Sequence, residues 1–102
     1  MRMTTKNRVR VIRALSVETR VEMVQLLAQR TQCVGALARR LGITAGAVSQ
    51  HLRVLLRVGL VQRARCGRYV HYRLAPDAAN RCRALIESLF QREPTVPNEG
   101  DS

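Results

Sequence analysis

Apolar positions in the stretch LGITAGAVSQHLRVLLRVGL, Leu41 to Leu60, recur at helical spacing. Val48, Leu52, Leu55 and Leu56 make one stripe, while Ala45, Gly46, Ser49, Gln50 and Arg53 make a small or hydrogen-bonding opposite face. Thr44 predicts an N-cap, and Gly42 and Gly59 predict left-handed stops before and after this helix. The same spacing predicts three helices upstream. Val9, Val11, Ile12 and Leu15 edge a short basic helix within Met1 to Leu15. Ser16 reads as the N-cap of a second, marked by Val17, Val21, Val24, Leu27 and Ala28 and ending near Gln29, with Glu18 in its first turn. Cys33 opens a third, Val34 to Leu41, with Val34, Leu37, Ala38 and Leu41 inward, after a polar connection over Arg30 to Gln32.

After Gly59 the period shortens. Leu60 to Arg65 and Tyr69 to Leu74 alternate as strands around the turn Cys66-Gly67-Arg68, with Val70, Tyr72 and Leu74 on the core face. Pro76 and Asp77 then suit the first turn of a last helix. Its stripe of Ala78, Cys82, Leu85 and Leu89, with Ala79, Ile86 and Phe90 beside it, is wide for a small domain. That stripe and the first helix either cover each other or pair with a second chain. The fold expected is mainly α with a small β-hairpin, α-α-α-α-β-β-α. One domain over residues 1–91 is followed by a disordered acidic tail over 92–102.

Charge sharpens this picture. Lys and Arg number 18 against 7 Asp and Glu, giving a net charge of +11. No Asp or Glu occurs between Met23 and Pro76, a span that holds nine arginines. A middle of one sign is a footprint for phosphates. The two helices joined by Gly42-Ile43-Thr44 form a helix-turn-helix, and the hairpin beside it carries Arg65 and Arg68 at its tip. Thr44, Ala45, Gly46, Ser49, Gln50, His51 and Arg53 are the candidate contacts to double-stranded DNA in the major groove. Arg65 and Arg68 are the candidate contacts of a wing. His51 either meets a phosphate or packs at the junction of helix and wing.

The residues resemble the ArsR/SmtB family of bacterial transcriptional repressors. The similarity lies in ALSVETRVEMVQLL, in CVGALARRLGITAGAVSQHLRVLLRVGLV and in RYVHYRL, and runs from about Ala14 to Phe90. It implies a winged helix-turn-helix, a homodimer joined through its first and last helices, an inverted-repeat operator and release by an inducer. One family metal site uses an Asp-x-His and a His-x-x-Glu pair on the last helix. The corresponding positions are Asp77, Ala79, Phe90 and Glu93, so both imidazoles are missing and no metal or other cofactor is expected. A CVC site on the helix before the turn reads Cys33-Val34-Gly35, with one thiol. Cys33 and Cys82 are the candidate sensor thiols, for arsenite, a soft metal or an oxidant; the inducer's identity stays open.

Other classes fare worse. Three scattered Cys without CxxC argue against a disulfide framework or thiol carrier and fit a reducing cytoplasm. No apolar run is long enough to span a membrane, and the N-terminus lacks the apolar core of a signal peptide. Without a Gly-rich phosphate loop or a nucleophile–base arrangement, no enzyme activity is expected. The remaining alternative is a non-specific, architectural nucleic-acid-binding module without an inducer.

Overall fold

The computed structural model of the chain describes residues 3–91. The expected acidic tail, including Glu93, lies outside them. Five helices and one hairpin follow in order: α1 (Thr5–Ala14), α2 (Glu18–Gln29), α3 (Val34–Leu41), α4 (Ala45–Arg57), β1 (Val61–Cys66), β2 (Tyr69–Leu74) and α5 (Ala78–Leu89). The core is built from Met23 and Leu27 of α2, Leu37 of α3, and Val48, Leu52 and Leu55 of α4, closed by Leu60, Val61 and Leu85.

Local chemistry sets the helix ends. Thr4 and Thr44 accept from the amides of Asn7 and Ala47, each at 3.1 Å. Gly42 takes φ 68°, and the next amide, Ile43, returns to the Ala38 carbonyl. Gly59 takes φ 77° just past α4, where the amides of Gly59 and Leu60 reach the carbonyls of Leu56 and Leu55 in a Schellman pattern.

Four expectations need correction. Ser16 does not cap α2: its hydroxyl donates to the Arg13 carbonyl at 2.8 Å, finishing α1, and Val17 is the N-cap with no side-chain bond. The α2 stripe is rotated: Leu27 is buried as expected, but its buried companion is Met23, whereas Val21 is 39% exposed and Ala28 faces solvent. Pro76 precedes α5 rather than entering it, and Asp77 is the N-cap. In the hairpin, Cys66 pairs with Tyr69, so the turn is the two residues Gly67-Arg68, and Val70 is exposed beyond the core. Gly67, at φ 63°, occupies the first position of that turn, as a type II′ connection favours.

One connection does more than its polar composition suggests. The amide of Gln32 donates to the Tyr72 carbonyl at 3.0 Å and the amide of Tyr72 returns to Gln32 at 2.8 Å. This single-residue bridge ties the α2–α3 link to β2. Gln32 is buried, and its Nε2 donates to the Leu26 carbonyl at 2.7 Å.

Candidate nucleic-acid interface

Helix α4 presents two unlike faces. Val48, Leu52 and Leu55 are buried against α2 and α3, with Leu56 partly covered. Thr44, Ala45, Gly46, Ser49, Gln50 and Arg53 are exposed. A Cβ built on Gly46 would come no nearer than 4.0 Å to its surroundings, so no packing demand within the chain explains glycine at this position. The sequence-derived contacts are therefore brought together on one side, with the exception of His51.

His51 is half-buried. Its Nδ1 stands 3.3 Å from Nη1 of Arg20 on α2. Because a guanidinium only donates, Nδ1 is the acceptor and a neutral ring carries its proton on Nε2. Arg20 is itself fixed by donating to the carbonyls of Ala14 at 2.7 Å and Arg13 at 3.3 Å. It joins the end of α1 to the middle of α4.

A second arginine holds the other end. Arg81 of α5 donates from Nη1 to the Gly59 carbonyl at 2.8 Å and from Nη2 to the Val58 carbonyl at 3.0 Å. A Cβ at position 59 would meet Arg81 Nη1 at 3.1 Å, so a side chain there would push on this guanidinium in addition to straining the positive φ. Sequence reasoning passed over Arg20 and Arg81. Each lies in or next to the first turn of its own helix, where a cation opposes the dipole. That misplacement was the available signal: both serve carbonyls at the end of another helix, where a cation is favourable.

In the hairpin, Arg63 and Arg65 stand opposite Tyr72 and Val70 on the sheet face that begins with Val61 and Leu74. The face thus turns from apolar at the base to cationic toward the tip. Arg65 and Arg68 are exposed, as are Arg39 and Arg40 of α3. Among the described residues the ion pair is Arg81–Asp77, at 3.9 Å. The arginines of α3, α4 and the hairpin therefore keep their charge uncompensated by protein among these residues.

The sensor candidates do not form a cluster. Cys33 is the N-cap of α3, its sulfur accepting from the Ala36 amide at 3.4 Å. Cys82 is half-buried on α5; burial pushes its thiol pKa up, and the neighbouring Arg81 guanidinium offsets this in part. Among the described residues no three His, Cys, Asp or Glu side chains are grouped to hold a metal.

Comparison with known proteins agrees with this geometry. The profile of the bacterial regulatory proteins of the arsR family matches residues 17–63. The HTH-type transcriptional regulator KmtR of Mycobacterium tuberculosis is 36% identical over 89 residues, covering 87% of this chain and 67% of that protein. The chain belongs to the arsR family. The HTH-type transcriptional repressor SmtB of the same species is 40% identical over 65 residues, 64% of this chain, which spans about half (48%) of that relative's length. Among solved structures, a homodimeric winged helix-turn-helix DNA-binding domain from Mycobacterium bovis superposes with a TM-score of 0.70 at 32% identity, covering 82% of this chain and 78% of that one. The order of helices and hairpin is accordingly the winged helix-turn-helix of arsR-family regulators, in which α3 and α4 are the helix-turn-helix and β1–β2 the wing. No helix among the described residues is long and apolar enough to cross a membrane.

Proposed function

We propose that the protein is a cytoplasmic transcriptional repressor that binds an inverted-repeat operator as a homodimer and acts by binding, not by catalysis. The observation that carries this reading is the exposed, small and hydrogen-bonding face of α4, anchored by three buried side chains beside an acid-free, arginine-tipped hairpin. Ser49, Gln50 and Arg53 meet base edges, with Thr44, Ala45 and Gly46 allowing close approach. His51, holding its proton on Nε2, donates to a phosphate, and Arg65 and Arg68 contact the backbone of the adjoining groove.

Dimerisation is supported by what the single chain leaves uncovered. Val9 and Ile12 of α1, and Ile86, Leu89 and Phe90 at the end of α5, are exposed, Phe90 by 83%. Such apolar surface at one end of a small domain favours a second copy. Two-fold symmetry then sets half-sites about one helical turn apart, about 34 Å. Release is assigned to a thiol-reactive inducer at Cys33, with Cys82 of the same or the partner chain as second thiol. Modification of the Cys33 sulfur removes the acceptor that caps α3, the first helix of the helix-turn-helix.

The test is a mobility shift on the protein's own promoter region against shuffled DNA, with arsenite, zinc, cadmium and an oxidant, repeated on Cys33→Ser. Protection of an inverted repeat and inducer release lost in the variant are expected. Equal affinity for shuffled DNA at physiological salt would mean an architectural binder instead. Release that persists in Cys33→Ser would remove that thiol from the switch.

A further inference from the structure

A cleft of about 210 Å³ opens between α1, the end of α4 and the start of α5. Its lining combines apolar Val11 and Val58 with Asn7, Arg10, Arg57 and Arg81. Three separate elements thus bring three guanidinium groups to one opening. Asp77, the acid paired there, stands 3.9 Å from Arg81 and is largely exposed. Arg81 already donates to the ends of α4, whereas neither Arg10 nor Arg57 makes a side-chain hydrogen bond or ion pair among the described residues. Gathered like charges repel, and an entering anion both relieves that repulsion and gains charge-assisted hydrogen bonds.

The cleft is also separate from the apolar edge assigned to a second copy. At about 100° per residue, the Asn7–Arg10 flank lies about 160° around α1 from the Val9–Ile12 edge. The size of the cleft narrows the occupant: a cavity of about 150 Å³ takes up benzene, so this cleft has room for a ring and a charged group.

We infer that this cleft binds a small organic molecule bearing one oxyanion group, a carboxylate or a phosphate, on an apolar body about the size of a benzene ring. The oxyanion lies between Arg10 and Arg57, with Asn7 as a further donor, and the body rests on Val11 and Val58. Arg81, shared between the cleft and the last carbonyls of α4, places the ligand against the end of the recognition helix. This site is independent of the operator-binding reading.

The test titrates the full chain, without DNA, with benzoate, phenyl phosphate, benzamide and inorganic phosphate while amide resonances are followed by NMR. Saturable shifts at Asn7, Arg10, Arg57, Val58 and Arg81 with benzoate or phenyl phosphate are expected, and the stronger of the two names the oxyanion. Arg10→Gln and Arg57→Gln, both at exposed side chains, should each weaken binding by about tenfold. Benzamide acting as strongly would reduce the cleft to an apolar contact. Inorganic phosphate matching phenyl phosphate would mean an adventitious ion only. The inference is overturned by either result, by shifts centred instead on Gln50, Arg65 and Arg68, or by no saturable shift at all. DNA is not in the assay, so failure here and failure of operator binding are separate results.

Discussion

Helix α4 and the β1–β2 hairpin both present arginine, yet they are anchored in opposite ways. The helix is buried along one whole face and is gripped by Arg20 near its middle and Arg81 at its end. The hairpin is held at its base by Val61, Leu74 and the Gln32–Tyr72 bridge, while Arg65 and Arg68 stand at its unsupported end. The difference matches two kinds of contact. A hydrogen bond to a base edge tolerates little error in angle, so its donor needs a fixed support. Attraction to a phosphate falls off slowly with distance and accepts a looser one.

The largest way to break this contrast is to loosen the helix. Leu52→Ala should lower unfolding stability by about 2–5 kcal/mol, because Leu52 is fully enclosed and its removal leaves a cavity. Thermal or denaturant unfolding measures this, and a loss well below that range would show that α4 is not held as described. A smaller effect separates the two contacts directly. Gln50→Ala should cost about 1–3 kcal/mol on the operator and almost nothing on shuffled DNA, in mobility shifts at one salt concentration.

Removing the hairpin charges should act differently. Arg65→Ala with Arg68→Ala should weaken operator and shuffled DNA alike. If each protomer neutralises about four phosphates, the parent dimer has a log K against log[salt] slope of about −7, and each lost phosphate contact flattens it by about 0.9. A parent slope near zero, or a double variant that alters only operator affinity, would reverse the roles of helix and wing. The mildest test concerns the thiols. Burial raises the Cys82 pKa, so at neutral pH less of it is thiolate. Iodoacetamide should label it more slowly than exposed Cys66, and raising the pH through the ordinary thiol range should leave Cys82 the slower of the two.

Where sequence spoke through local chemistry, it was legible. Gly42, Thr44 and Gly59 take the conformations their positions required, and α3 and α4 have the expected bounds within a residue. Misreadings arose where a distant partner decides. Val21 continues an apolar period in α2, but contacts with α3, α4 and β2 bury Met23 beside Leu27 instead. Gln32 reads as loop because its strand partner lies forty positions away in sequence. Val70 alternates correctly, yet the hairpin outruns the helices that would cover it. The candidate contacts on α4 follow from helical spacing alone, whereas the arginines that orient them depend on which carbonyls end up nearby.

The Gln32–Tyr72 pairing makes the linker between α2 and α3 a fulcrum for the hairpin. The distance between the exposed face of α4 and the arginine tip is then calibrated by backbone outside both. Lengthening or shortening that linker by a single residue would swing the arginine tip without altering any side chain in it, so the placing of the tip is encoded in a segment that carries none of its charge.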